Sequence, residues 1–466
     1  MTTPLLYQLL EKLDKRELRE LKKLVRSPIA THRPELALLF NKLADALYRG
    51  RQLPDKPKLH LAVFGADPYD DQRLRSLMSD LHLLIEQHLM ARAAQSDEVQ
   101  AQLHLAHFYR QRGLVRHFES AIQKVAALQR QSAYRNVDYF ERRLKFEIET
   151  NEFQSTDRRA GHLNLQEISD TMDVLYLAQK LRHACSQLSH RAVYQTDYRF
   201  GLLQAWIDVL EDSHYLHTPA IALYYYCYRF LTEEYSQDYF ARFRDQLRLH
   251  SAAFPKEELK GLYRAAVNFC IRKLNEGSLD FAREGWELYQ EGLQSELFIE
   301  HNHLSRFTFD NIVGFGLRLE AFEAVKNFIE QYRSYLAADY AESTVLFNLA
   351  RLEYGLRHYD QALAYVQRAN PRDLVNQLIC KTLQLKIYYE TNELDLLESH
   401  LDSFRLFIRR REVSDYHRQN FHNVIIYTRK LISAYPNDAA ERRRLRAAIQ
   451  EEKVLSEREW LLSKVY

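Results

Sequence analysis

Residues 343–371, STVLFNLARLEYGLRHYDQALAYVQRANP, carry the pattern that decides the fold. Apolar side chains recur there at helical spacing in two runs separated by a short polar turn, which puts one apolar face on each of two helices. Ala350 is the small residue that lets the paired helices approach. Tyr359 opens the second helix, Ala362 and Ala369 lie on its inner face, and Pro371 ends it.

The same rhythm spreads outward. Phe322, Val325, Ile329 and Tyr332 repeat the second-helix face upstream, and Leu394, Leu397, Leu401 and Phe404 repeat it downstream. The leading residues Phe322, Tyr359 and Leu394 stand 37 and 35 positions apart, and Phe281 and Tyr239 extend the series at intervals of 41 and 42. This resembles a tetratricopeptide repeat, whose unit is about 34 residues and whose small and aromatic positions set the helix packing. The longer intervals make the repeats irregular. The expected fold is therefore all-α: a right-handed α-solenoid of tetratricopeptide-like hairpins over 95–466, clearest over 280–410, behind an N-terminal helical unit at 1–94.

Composition agrees. Glycine supplies 12 of 466 residues, under half the usual share of about 7%, which predicts few turns with φ > 0 and little tight β-hairpin. Apolar content of 46% with 27% charged residues fits a folded chain rather than a disordered one. The formal charge of +2 gives no global pull toward nucleic acid or an anionic membrane. Cys185, Cys227, Cys270 and Cys380 form no CxxC and each sits in an apolar helical stretch, as buried reduced thiols of a cytoplasmic protein would. The first twenty residues lack the pattern of a signal peptide. The longest apolar run, Ala220–Tyr228, is nine residues, against about twenty for a membrane span.

The N-terminal unit has its own punctuation. Helical faces at Leu5, Leu9, Leu10 and Leu13 and at Leu18, Leu21, Leu24 and Val25 end at Ser27-Pro28, and a third helix follows from about Arg33. Residues 50–57 read as a loop. Asp67-Pro68 then starts a long helix, with Asp67 as N-cap and Asp70 in its first turn. The segments LDKRELRELKKLVRSP and VFGADPYDDQRLRSLMSDLHLLIEQHLM are similar to the start of a family of uncharacterised long helical proteins from Bacteroidetes-type bacteria. Ser27-Pro28, Phe64-Gly65, Tyr69 and Met78-Ser79-Asp80-Leu81 carry the likeness over about the first 90 residues. An aromatic-Asn pair usual after Ser-Pro is replaced by Ile29-Ala30-Thr31. The resemblance implies a helical protein and brings no activity with it. Residues 152–163 read as a possible hinge, Tyr435-Pro436-Asn437-Asp438 as the start of a charged helix, and Ser456-x-x-Glu459 as the capping box of a last one.

No motif for catalysis overlies this pattern. His82, Glu86 and His88, and the pair His104 and His107, lack a full ligand set, so no metal is expected. There is no nucleophile elbow, and Gly314-Phe315-Gly316 is a bare GxG inside a helical pattern, better suited to close helix packing than to phosphate. The chain is read as a non-enzyme with no cofactor. The aromatic run IALYYYCYRF (221–230) suits core packing, or else a recognition surface. Residues 1–60 carry 13 Lys or Arg against 7 Asp or Glu, but Glu11, Asp14, Glu17 and Glu20 interleave with the cations as a solvated, paired face would. Arg409-Arg410-Arg411 and Arg442-Arg443-Arg444 with Arg446 are further basic clusters.

The leading expectation is thus a scaffold or adaptor that binds another protein, as a peptide or helix, in a concave groove of first helices. Tyr224, Tyr225, Tyr228, Tyr354, Tyr388 and Arg351 are its candidate partner-binding residues. The alternative is a nucleic-acid-associated regulator that uses the basic N-terminal unit.

Overall fold

The structure, a computed structural model, describes residues 4–28, 30–156, 162–233, 236–412, 415–433 and 439–465. Among these the chain is all-α, with 23 α-helices, three short 3-10 helices and one two-stranded β-hairpin. No helix of the described residues is long and apolar enough to cross a membrane. Two compact units divide the chain, one of residues 1–132 and 137–175, the other of 133–136 and 176–466. The boundary expected at residue 94 falls inside the first unit, and the division lies at Leu175–Tyr176 instead.

The first unit opens with α1 (Leu5–Leu10), α2 (Lys15–Leu24), α3 (Pro34–Tyr48), α4 (Lys56–Phe64) and α5 (Asp71–Ser96). Their apolar faces close one cluster, in which Leu36, Leu39, Phe40 and Leu43 of α3 are buried with Leu74, Leu77, Leu81 and Ile85 of α5. Each such leucine contributes roughly 2 kcal/mol by leaving water. Aspartates set the helix starts. Asp14 and Glu17 form a capping box on α2, and Asp55 caps α4, so the expected loop at 50–57 is already helical from Lys56. The start of α5 lies later than Asp67: the Asp70 carboxylate accepts from the N–H groups of Gln72 and Arg73 at 2.9 and 3.0 Å. Asp67 instead pairs with Arg73 at 2.9 Å, outside the helix. After α5 come α6 (Glu98–Gln111), α7 (Val115–Gln131), α8 (Val137–Gln154) and α9 (Leu165–Tyr194). The expected hinge begins inside α8, and its residues 157–161 lie outside the described ones.

The second unit continues through α10 (Leu203–Leu210), α11 (Pro219–Thr232), α12 (Ser236–His250), α13 (Lys256–Asn275) and α14 (Asp280–Gln294). Next are α15 (Arg306–Arg318), α16 (Phe322–Tyr332), α17 (Ala341–Gly355), α18 (Tyr359–Arg368), α19 (Leu374–Glu390) and α20 (Leu394–Arg410). It ends with α21 (Asp415–Ser433), α22 (Ala439–Glu451) and α23 (Arg458–Lys464). The start expected at Tyr435 lies outside the described residues. Helices pair as hairpins, α11 with α12 through to α19 with α20, and α17 also packs on both α15 and α19. Ala350 of α17 and Ala362 of α18 are fully buried where the paired helices approach.

The hairpin turns share one geometry. A left-handed residue follows the first helix by two positions at Glu320 (φ 54°), Arg357 (φ 63°) and Asn392 (φ 59°). The next N–H then reaches back to the fifth carbonyl before it: Ala321 to Gly316, His358 to Glu353, and Glu393 to Tyr388, each 2.9 Å. Phe322, Tyr359 and Leu394 stand two residues past the left-handed position and open the second helices. This is the Schellman closure that satisfies helix-end carbonyls. Scarce glycine predicts few left-handed positions, and the described residues have five at glycine and seven at other residues. Two of them, His301 and Asn302, form the turn between β1 (Ile299–Glu300) and β2 (His303–Leu304), a type I′ hairpin.

Candidate functional site

The face made by α15, α17 and α19 in the second unit combines a polar network with a cavity beside it. Asp310 of α15 begins the network. Its carboxylate accepts from the side-chain amide of Asn348 on α17 at 2.6 Å and from that of Asn376 on α19 at 3.1 Å. Arg351 donates to the Asp310 carbonyl and to the Asn348 side-chain oxygen, both at 3.0 Å. Four polar residues from three helices, two of them on α17, therefore sit in a single network. Burial pushes the Asp310 carboxyl above its ordinary value, against the pull of Asn348, Arg351 and Asn376. Burial likewise lowers the Arg351 guanidinium from its usual value, opposed by Asp310. Partnered this way the two half-buried groups avoid the larger cost of standing alone.

Next to this network is a cavity of about 370 Å³, lined by Gly314, Arg318, Arg351, Tyr354 and Lys386 of the three helices. Ser456, Glu457, Glu459 and Trp460, which precede or begin α23, line it as well. The segment Val454–Val465 thus lies against the same face that the hairpins build. Lys386 meets the Glu457 carboxylate at 2.9 Å, Arg318 meets Glu459 at 2.6 Å, and Glu390 takes both the Trp460 indole N–H at 2.8 Å and the Lys464 ammonium at 2.7 Å. Backbone groups are held too: the Ser456 N–H donates to Asn420 at 2.7 Å, and Asn423 donates to the Val454 carbonyl at 3.0 Å. Leu455, Leu461 and Val465 anchor the segment in an apolar cluster with Leu378 and Leu385 of α19 and Phe421 and Val424 of α21.

Charge follows the same division. The helices offer Arg318, Arg351 and Lys386 to the cavity, and the segment supplies Glu457 and Glu459. Burial alone would raise the Glu457 carboxyl; Lys386, Arg318 and Arg351 more than reverse this, so it stands below the usual glutamate value. The Lys386 ammonium also lies 4.8 Å from the Tyr354 ring centre and 5.6 Å from that of Trp460, within cation–π range.

Of the residues expected to bind a partner, Arg351 and Tyr354 line this cavity. Tyr388 does not: its ring turns toward α20, edge-on to His400 at 5.6 Å. Tyr224, Tyr225 and Tyr228 require a correction, because they are 4%, 0% and 3% exposed and offer a partner no surface. Helix α11 is apolar nearly all round and packs between α12 and α13, so its tyrosines serve the core. The Tyr224 hydroxyl donates to Glu258 at 2.7 Å and that of Tyr228 reaches Gln204 at 3.4 Å.

Lys386, Glu390, Glu457 and Trp460 were not among the expected residues. Lys386 and Glu390 stand four positions apart on α19, a spacing common to solvated helix faces that carries no signal of a site. The expected Ser456–Glu459 capping box does not form: α23 begins after Glu457 without a side-chain cap, and Glu459 reaches Arg318 instead. In the GxG, Gly314 faces Arg351, and a Cβ on Gly316 would meet Val325 and Trp286, so both glycines serve close approach. All four cysteines are buried free thiols. No group of three possible metal ligands occurs among the described residues. No family model, no curated protein and no solved structure matches this chain.

Proposed function

We propose that the chain is a non-catalytic scaffold or adaptor of the cytoplasm: an α-solenoid, tetratricopeptide-like over 280–410, that binds another protein as a peptide or helix along the α15–α17–α19 face. The observation that carries this reading is that the face already grips a short helical segment, Leu455–Val465, through side chains of α15, α19 and α21. Cations and aromatic rings around a cavity suit a peptide ligand, because a few well-placed polar groups fix orientation while apolar anchors supply affinity. The nucleic-acid reading has less behind it. Glu17 and Glu20 of α2 are taken up by Arg16 and by Arg92 of α5, so the nucleic-acid reading rests on the remaining cations of a short exposed helix and on charge alone.

Purifying the tagged chain from its source cells separates the two readings. The scaffold reading expects one protein near stoichiometry, retained at moderate salt and lost from a Lys386→Glu variant. Nucleic acid that elevates the 260/280 absorbance ratio and leaves as salt rises would replace it with the regulator.

A further inference from the structure

The segment that ends in α23 is an imperfect occupant of its seat. It buries Leu455, Leu461 and Val465, yet leaves a cavity of about 370 Å³ between itself and Arg351, Tyr354 and Lys386. Its outer ion pair is open to water, with Arg318 and Glu459 side chains 47% and 63% exposed. Exposed pairs of this kind are weak and screened by salt. Residues 452–457, which join α22 to α23, form no regular helix or strand.

We propose that Leu455–Val465 is a built-in occupant that competes with the partner for this face. The partner is accordingly a helical protein segment with the same chemistry: two carboxylates two positions apart followed by an aromatic side chain, as in Glu457-x-Glu459-Trp460. The proposal rests on the scaffold reading and adds its ligand class and its regulation. The carboxylates meet Lys386 and Arg318, the aromatic ring packs on Lys386 and Tyr389 as Trp460 does, and its indole or hydroxyl hydrogen goes to Glu390. A partner that also fills the cavity displaces the internal segment, because it adds apolar burial to the same ionic contacts. Binding is then weaker to the closed chain than to one whose own segment has been loosened.

The test uses the full chain and a fluorescent peptide of residues 452–465, read by anisotropy. Glu457→Gln with Glu459→Gln loosens the internal segment while leaving its three apolar anchors. This variant is expected to bind the peptide at least about tenfold more tightly than the wild type. A peptide carrying the same two glutamines, or addition of Lys386→Glu to the chain, removes the binding. Equal affinity for wild type and loosened chain overturns competition and leaves the scaffold reading standing. No binding to a folded loosened chain overturns the ligand class. Dimers of the loosened chain that dissolve on adding peptide would make a second copy the occupant, which also overturns the proposal. Hydrogen exchange of the wild type gives an independent reading should the variant not fold. The amides of Arg458–Lys464 then exchange at least about tenfold faster than those of α19; equal protection counts against displacement.

Discussion

The Glu457 carboxylate lies 2.9 Å from the Lys386 ammonium, across 71 residues of sequence. That contact joins the apolar packing of Leu455 in fastening the segment before α23 to the face of α19. Its carboxyl stands below the ordinary glutamate value because Lys386, Arg318 and Arg351 outweigh burial. A carboxyl lowered by folding stabilises the fold above its unfolded value of about 4.3, and the contribution is lost as pH falls through the lowered folded value. Trp460 reports it. On acidification below about pH 4.5 its fluorescence should change before global unfolding by circular dichroism, and Glu457→Gln should remove the early phase. A single coincident transition in the wild type would disconnect Glu457 from docking of the segment.

The tyrosines of α11 divide by what their hydroxyls touch. Tyr225 is fully buried and its hydroxyl has no hydrogen-bond partner among the described residues, whereas that of Tyr224 donates to Glu258. Removing an unpaired buried hydroxyl relieves a desolvation cost, so Tyr225→Phe should hold or gain stability, by up to about 1 kcal/mol. Tyr224→Phe should lose about 2 kcal/mol, since its bond goes to a charged group. Urea melts of both variants check this, and equal losses would contradict the assignment.

The hairpin turns give a paired expectation. Arg357 and Glu320 hold left-handed backbone that favours glycine, at an expense of about 1 kcal/mol each. Arg357→Gly and Glu320→Gly should each raise stability by somewhat less than that, because glycine also gains freedom in the unfolded chain. Asn392 adopts left-handed backbone more readily, so Asn392→Gly should change little. Destabilisation by all three in thermal melts would mean that these turns are not as described.

Gly316 lies where α15 approaches α14 and α16. A Cβ there would stand 2.6 Å from Trp286 and press on Val325. Gly316→Ala should destabilise by about 1–3 kcal/mol, the usual range for overpacking. Gly261, a helical glycine of α13 whose added Cβ would meet nothing within 4 Å among the described residues, serves as the control through its own alanine variant. A Gly316→Ala loss no larger than that control would argue against close packing.

Much of the architecture was legible because it depends on local pattern. Phe322, Tyr359 and Leu394 could be placed at helix starts since an apolar face at helical spacing needs no knowledge of its neighbour. Ala350 and Ala362 could be assigned to a tight approach for the same reason. The turns were less legible, because Glu320 and Arg357 carry no glycine signal and are held left-handed by the helices on either side. The site was legible only in part. Arg351 and Tyr354 stood on a recognised hairpin, whereas the contacts of Lys386 with Glu457 and of Arg318 with Glu459 are tertiary, and Glu459 resembled a cap. The tyrosine run in α11 suited a core and a surface alike, and burial decides for the core packing that its all-round apolar pattern favours, which removes Tyr224, Tyr225 and Tyr228 as partner-binding residues.

Hydrogen exchange on the complex with the recovered partner asks most directly where the chain binds. The account predicts protection confined to residues 310–318, 348–355 and 382–390, with faster exchange over 455–465 as the internal segment leaves. Protection over residues 1–60, with the α15–α17–α19 face unchanged, would contradict it.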